Sequence, residues 1–397
     1  MYLKQMMRET MKRDLKAVIF LGDMGPHFTN IDARTGASEE EELVLYRHMK
    51  DFFYNLAKKY FSKFKNKDGD RIPMYMNFGN HDALWNYQQP NTKTGLESDY
   101  YNFLNNLYME GDQSLAMGKY DKDRSLYKEI GSYVATDILN FKGQGDYISI
   151  LSLNSLYFAL NNKNTDYASA EFILRWVEDV LKNSPKEEKF ILTMHIFPGT
   201  SEETWTTKAW REEFQVEFKR ILEKYTDKFI VSIAGHLHTF RMMLPLYSKN
   251  EQNKQLIHFN LGAFSPIFSN NMLYYIFKFS NNNGKVTLND ILAEEIDLHG
   301  LITTERSLAN DILADITPIS SSDISTEDWV KYIHAGIDLF LHPEITGASV
   351  WVLKYLLFMI GFSDLKNKNI IEPFSNRFKF SLNDVYKDMS YNKAVYC

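Results

Sequence analysis

Asp23, Asn80, His81, His195, His236 and His238 are residue types that can do chemistry, and each follows a glycine or an apolar run. Asp23 comes after Gly22, Asn80-His81 after Gly79, His195 after Lys189–Met194, and two imidazoles sit in Gly235-His236-Leu237-His238. A carboxylate, an amide oxygen and three imidazoles are the donors that hold a pair of divalent ions for hydrolysis. Asp23 suits a bridge between two ions, and Asn80 offers a neutral oxygen that does not over-neutralise them. The i, i+2 spacing of His236 and His238 points both rings to one face of an extended segment, so one can serve each ion. Gly235 lets the backbone bend close to such a site. Each motif is weak alone. A Gly-Asp after a strand is usually a turn, Asn80-His81-Asp82 reads equally as a polar loop with Asx-turn chemistry, and a histidine ending an apolar run is more often a core residue.

Their shared position in the chain's pattern joins them. Short, nearly continuous apolar runs occur at Ala17–Leu21, Pro73–Phe78, Tyr147–Leu153, Lys189–Met194, Lys228–Ala234, Leu256–Leu261 and Leu273–Phe279, as expected of strands buried on both faces. Glu39–Phe64 and Ala168–Leu181 carry apolar residues at helical spacing between them. Alternating strands and helices predict an α/β architecture with largely parallel pairing. The polar clusters all end strands, and open α/β sheets bind ligands at the carboxyl ends of strands. Residues far apart in sequence are therefore expected to converge.

Asn281–Gly284 reads as a hairpin turn leading into Lys285–Asp297. Beyond His299-Gly300 the pattern becomes helical, at Glu305–Leu313, Thr326–Leu341 and Gly347–Phe362, with Ser320–Ser325 as a polar linker. The expected division is a domain over residues 1–299 and a helical region over 300–397. His48, His258, His334 and His342 sit in helical or strand patterns and read as structural. Trp205 and Trp210 could line a cleft or simply pack.

The 397 residues, 44% hydrophobic and 24% charged, are long enough for a large core. A formal net charge of −6 argues against a nucleic-acid polymer as partner. Cys397 is the one cysteine, and no Asn-x-Ser/Thr acceptor occurs. Residues 1–16 contain no apolar run of signal-peptide length. Val350–Phe362 is interrupted by Lys354 and too short to span a bilayer. The expectation is a chain with no transmembrane segment. Oligomeric state is not legible.

GDMGPH (22–27), GNHD (79–82), HIFPG (195–199) and GHLHTF (235–240) resemble the calcineurin-like metallophosphoesterase family, and within it the acid sphingomyelinase-like phosphodiesterases. LGAFSPIFSNN (261–271) is similar to that group's substrate-side loop, and the resemblance covers roughly residues 10–299. It implies a four-layer α-β-β-α sandwich, here with a helical C-terminal extension. It also implies two divalent metal ions, zinc foremost, with iron or manganese able to occupy the same frame. By the resemblance Asp23 bridges, Asn80, His195 and His236 complete one ion, and His238 belongs to the other. His27 and His81 are implied as catalytic residues that face the phosphate and protonate the leaving oxygen. The implied reaction is hydrolysis of a phosphate ester or diester by a metal-activated hydroxide, on a small phosphodiester, a nucleotide or a phospholipid.

One family block is missing. The resemblance calls for an Asp-x-His ahead of Gly22-Asp23, and the only such tripeptide here is Asp297-Leu298-His299, read as coincidence. The favoured expectation is a fragment of a longer protein, because losing an inner strand would expose sheet edges. The alternatives are a short form that holds its second ion poorly and a non-catalytic binding protein. The family setting is secreted or lysosomal, whereas the sequence shows no signal peptide, cysteine pair or glycosylation acceptor, so compartment is left open.

Overall fold

The computed structural model describes residues 12–24, most of 55–89, 109, 115–116, 120–199 except 142–144, 208–243 except 239, 256–264, 272–296 and 303–307. The chain divides into two compact units. The first comprises Met1–Phe197, Trp210–His236 and Asn281–Val286, and the second Pro198–Ala209, Leu237–Ser280 and Thr287–Cys397.

In the first unit, β1 (Val18–Phe20) and β2 (Met74–Met76) pair in parallel, with Ile19 opposite Tyr75. A second sheet runs in the order β3 (Ser125–Leu126), β4 (Ser132–Asn140), β5 (Tyr147–Leu153), β6 (Glu188–Met194) and β7 (Phe229–Ala234). Strands β5, β6 and β7 are parallel, while β3–β4 and β4–β5 are antiparallel. The expected parallel core is thus present with an antiparallel margin. β5 and β6 are buried almost throughout, as their continuous apolar sequences require. Hydrogen bonds tie the end of β2 to the larger sheet: Tyr133 Oη donates to the Met76 carbonyl at 3.1 Å, and Asn77 Nδ2 to Ser152 Oγ at 2.8 Å and the Leu153 carbonyl at 3.4 Å.

Helix α1 (Tyr167–Asn183) buries Ala170, Ile173, Leu174, Val177, Val180 and Leu181, a stripe at helical spacing. The Asp166 side chain caps its start by accepting from the Ser169 N–H. Lys228 Nζ donates to the carbonyls of Ser184 and Pro185, satisfying acceptors just past its C-terminus. Helix α2 (Glu212–Lys224) buries Phe214, Phe218, Ile221 and Leu222. Trp210 is fully buried between Phe158 and Phe218, and its Nε1 donates to the Ile196 carbonyl, so of the two readings for this residue packing holds. Trp205 lies outside the described residues.

In the second unit, β8 (Arg241–Met243) and β9 (His258–Asn260) pair antiparallel. β10 (Met272–Asn282), β11 (Lys285–Ile296) and β12 (Thr303–Ser307) form a three-stranded sheet, with the expected turn at 283–284. Phe240 stacks on Phe259 and Tyr275.

Among the described residues, several elements depart from the sequence expectation, including the short strands β3 and β8. Glu305 to Ser307, expected to begin a helix, pairs as a strand, with Glu305 opposite Glu294. The β-branched Thr303-Thr304 and a ready ladder partner outweigh a weak local helix preference. β4 was not foreseen, because Asp137 (φ 56°) and a shift in register between Ala135 and Leu139 break its pattern. Nor was α2, whose apolar stripe is interleaved with seven charges. Most of Glu39–Phe64, with Thr326–Leu341 and Gly347–Phe362, lies outside the described residues.

Candidate metal centre

Asp23, Asn80, His195 and His236 all follow carboxyl ends of parallel strands of the first unit. Asp23 follows β1, Asn80 follows β2, His195 directly follows β6, and His236 follows β7. Asp23, His195 and His236 bring one ligand atom each to within 4.8 Å of one another.

The glycines explain how the loops come this close. A Cβ on Gly22, where φ is +100°, would lie 2.6 Å from the Gly79 nitrogen and 2.8 Å from His195 Nδ1. A Cβ on Gly79 would fall on the Asp23 carboxylate. The two glycines therefore let the Asp23 and Asn80 loops touch back to back. Asp23 (φ 56°) and His236 (φ 74°) themselves hold left-handed backbone, which non-glycine residues adopt at a cost and which clusters at functional sites.

Hydrogen bonding at His195 defines the chemistry. Its Nδ1 lies 2.7 Å from the Leu21 carbonyl oxygen, which can only accept, so Nδ1 carries the proton. Its Nε2 then faces Asp23 Oδ2 at 3.1 Å and Asn80 Oδ1 at 3.1 Å. The Asn80 amide is held in this sense because its Nδ2 donates to Asn86 Oδ1 at 2.8 Å. A neutral imidazole would turn a lone pair toward two oxygen acceptors. Such an arrangement calls for positive charge at its centre, either a proton on Nε2 or a cation bound by all three groups. The donor set of carboxylate, amide oxygen and imidazoles is one that divalent ions accept, so the residues fit a metal.

The electrostatics agree. Burial pushes the Asp23 carboxyl up, but His195, His81 and His236 outweigh it and hold the group well below the usual carboxylate range. Burial likewise disfavours the His195 imidazolium, and the Asp23 charge and hydrogen bond overcome it and raise the His195 pKa.

Three residues that sequence reasoning did not single out support this centre. The buried Asp82 carboxylate accepts from the N–H groups of Asp23 at 2.7 Å, Met24 at 2.8 Å and Gly79 at 2.9 Å. Asn86 orients Asn80, and the Tyr87 hydroxyl lies 3.2 Å from His236 Nε2. Asp82 closes the GNHD segment and could have been suspected from it; nothing in the sequence pattern marks Asn86 or Tyr87. His81, 9% exposed, donates its backbone N–H to Asp23 Oδ1 at 2.8 Å. His238, half-buried with φ 56°, belongs to the second unit. His27 and Asp297-Leu298-His299 lie outside the described residues.

The family model for calcineurin-like phosphoesterases matches residues 2–240. The chain belongs to the calcineurin-like phosphoesterase family. Its mixed α/β sheets, with candidate donors at strand ends, are in keeping with a metallophosphoesterase fold. Curated relatives include acid sphingomyelinase-like phosphodiesterase 3b of Mus musculus, 32% identical over 99 residues that make up 24% of this chain and 21% of that protein. The Homo sapiens protein of that name is 27% identical over 176 residues, 43% of this chain and 35% of its own. Sphingomyelinase phosphodiesterase D of Dictyostelium discoideum is 21% identical over 187 residues, 44% of this chain and 42% of its own. The metallophosphoesterase chain thus spans less than half the length of each. Among the described residues, no helix is long and apolar enough to cross a membrane.

Proposed function

We propose that this chain hydrolyses a phosphodiester at a centre built on Asp23, Asn80, His195 and His236, with His238 contributing to a second divalent ion. The observation that carries the reading is the meeting of Asp23 Oδ2 and Asn80 Oδ1 at His195 Nε2, a donor set that a divalent cation would satisfy. Divalent ions held there would activate a water as nucleophile and neutralise charge on the phosphoryl oxygens.

The remaining work falls to the chain's own groups. The Leu21 carbonyl keeps the His195 proton on Nδ1 and so keeps Nε2 available. Asp82 holds the Asp23 loop against the Asn80 loop through backbone N–H groups, fixing their donor atoms in advance. His81 follows Asn80 in the same turn, and we assign its side chain, with His27, to the phosphate and to protonation of the leaving oxygen. Zinc suits the imidazole-rich set, and iron or manganese would fit the same donors. The phosphodiesterases named among the relatives support a diester over a monoester, with a phospholipid or a nucleotide as the class of substrate.

The test is metal content measured alongside turnover of bis(p-nitrophenyl) phosphate, in the wild type and in Asp23→Asn and His236→Ala. Bound metal near two per chain, with turnover lost in both variants, is the expected result. Bound metal without turnover of diester or monoester would favour a non-catalytic binding protein.

A further inference from the structure

Metal-binding histidines give one ring nitrogen to the ion and the other to a fixed partner that sets tautomer and orientation. His195 has that partner in the Leu21 carbonyl. His236 stands on left-handed backbone, immediately before a chain segment that belongs to the second unit, and needs a partner of its own. The Tyr87 phenol lies 3.2 Å from His236 Nε2, and the two rings meet edge to face at 87° with centroids 5.6 Å apart.

We propose that Tyr87 is the positioning residue for His236: its hydroxyl holds the proton on Nε2 and so fixes the ring for binding a divalent ion. This rests on the metal reading given above.

The segment carrying Tyr87 is built for placement. Tyr87 adopts φ 64°, a left-handed conformation in a bulky aromatic residue, which persists only where neighbours over-determine it. Those neighbours are identifiable. Asn86, one residue before, holds the Asn80 amide. Two residues after it, buried Gln89 donates to the Asn164 carbonyl at 2.6 Å and accepts from Asn162 Nδ2. Asn162, fully buried, also donates to the Leu156 carbonyl at 3.0 Å, and its own carbonyl accepts from the Arg211 guanidinium at 2.7 Å. Gln88 accepts from Asn164 Nδ2 at 3.2 Å. Amide hydrogen bonds thus pin Gln88 and Gln89, just after Tyr87, to the loop after β5, while Asn86, just before it, is tied to Asn80. One short segment thereby sets two donors, Asn80 through Asn86 and His236 through Tyr87.

The test is Tyr87→Phe, which keeps the edge-to-face ring contact and removes only the hydroxyl. Metal-free wild type and variant are titrated with Co2+, reading the dissociation constant by calorimetry and the ligand field by visible absorption. The expected result is a Kd raised about 10–100-fold with an altered Co2+ spectrum, while the melting temperature of the metal-free protein stays at the wild-type value. Unchanged affinity and spectrum in Tyr87→Phe, with the wild type binding Co2+, would overturn the proposal and leave the metal reading standing. Wild-type protein that takes up no ion would overturn both. A phenolate-to-iron charge-transfer band in the Fe3+-loaded wild type, lost in Tyr87→Phe, would also overturn it by making Tyr87 a ligand.

Discussion

The carboxylate of Asp82 accepts the backbone N–H of Asp23 at 2.7 Å, across 59 residues of sequence. With the N–H of Met24 and Gly79 on the same carboxylate, the end of one strand-end loop becomes the floor of another. Asp82→Asn replaces one acceptor oxygen by an N–H donor pointed at other N–H groups. It is expected to cost about 1–3 kcal/mol of stability and to weaken metal binding, although Asp82 is not a ligand. Denaturant unfolding without metal and calorimetric titration with Zn2+ read the two effects separately. Full stability together with wild-type affinity would show that the loops hold without it.

Gly79 is required for its absent side chain. A methyl group there would occupy the space of the Asp23 carboxylate. Gly79→Ala is expected to push Asp23 out of reach of His195 and abolish stoichiometric metal binding, with the far-ultraviolet circular dichroism retained. Metal content by plasma emission spectrometry checks this, and wild-type occupancy in the variant would contradict it.

Removing the ion-pair network at the opposite end of the sheet should affect stability alone. Glu188, fully buried at the start of β6, accepts from Arg124 Nη1 and Nη2 at 2.9 and 3.0 Å and from the Ser149 hydroxyl at 2.6 Å. Glu188→Gln removes the charge facing Arg124 Nη1 and Nη2 while Asp121 still pairs with Arg124 Nε at 2.7 Å, and is expected to cost about 1–3 kcal/mol. Because the residue lies at the amino end of β6 and His195 just past the carboxyl end, metal affinity of the folded fraction should be unchanged.

His258 gives stability a pH dependence of its own. Burial on β9 pushes its imidazole down to about 4 from an ordinary 6.5. Between those values the unfolded chain binds the proton and the folded chain does not. Its contribution is therefore fully present above pH 6.5, falls as pH drops toward 4, and changes no further below that. The loss across that window is about 3 kcal/mol. His258→Gln should flatten this part of the stability profile, measured by urea unfolding at steps of pH. An unchanged slope would assign the acid sensitivity to other groups.

The amino-acid sequence by itself determined which donors this protein brings to its strand ends. Apolar runs of strand length and glycines beside Asp23, Asn80 and His236 are local patterns, and local patterns survive in a one-dimensional reading. The helix Ala168–Leu181 and the strands ending at Met194 and Ala234 were legible for the same reason. β4 was not, since a residue at positive φ interrupts its alternation. Only the tertiary structure decided how the donors are held. The Leu21 carbonyl that sets the His195 tautomer lies 174 residues away in sequence, and the Tyr87 phenol on His236 lies 149 away. Spacing along a chain carries no information about such pairs, because a hydrogen bond depends on distances that arise when separate strands are packed together.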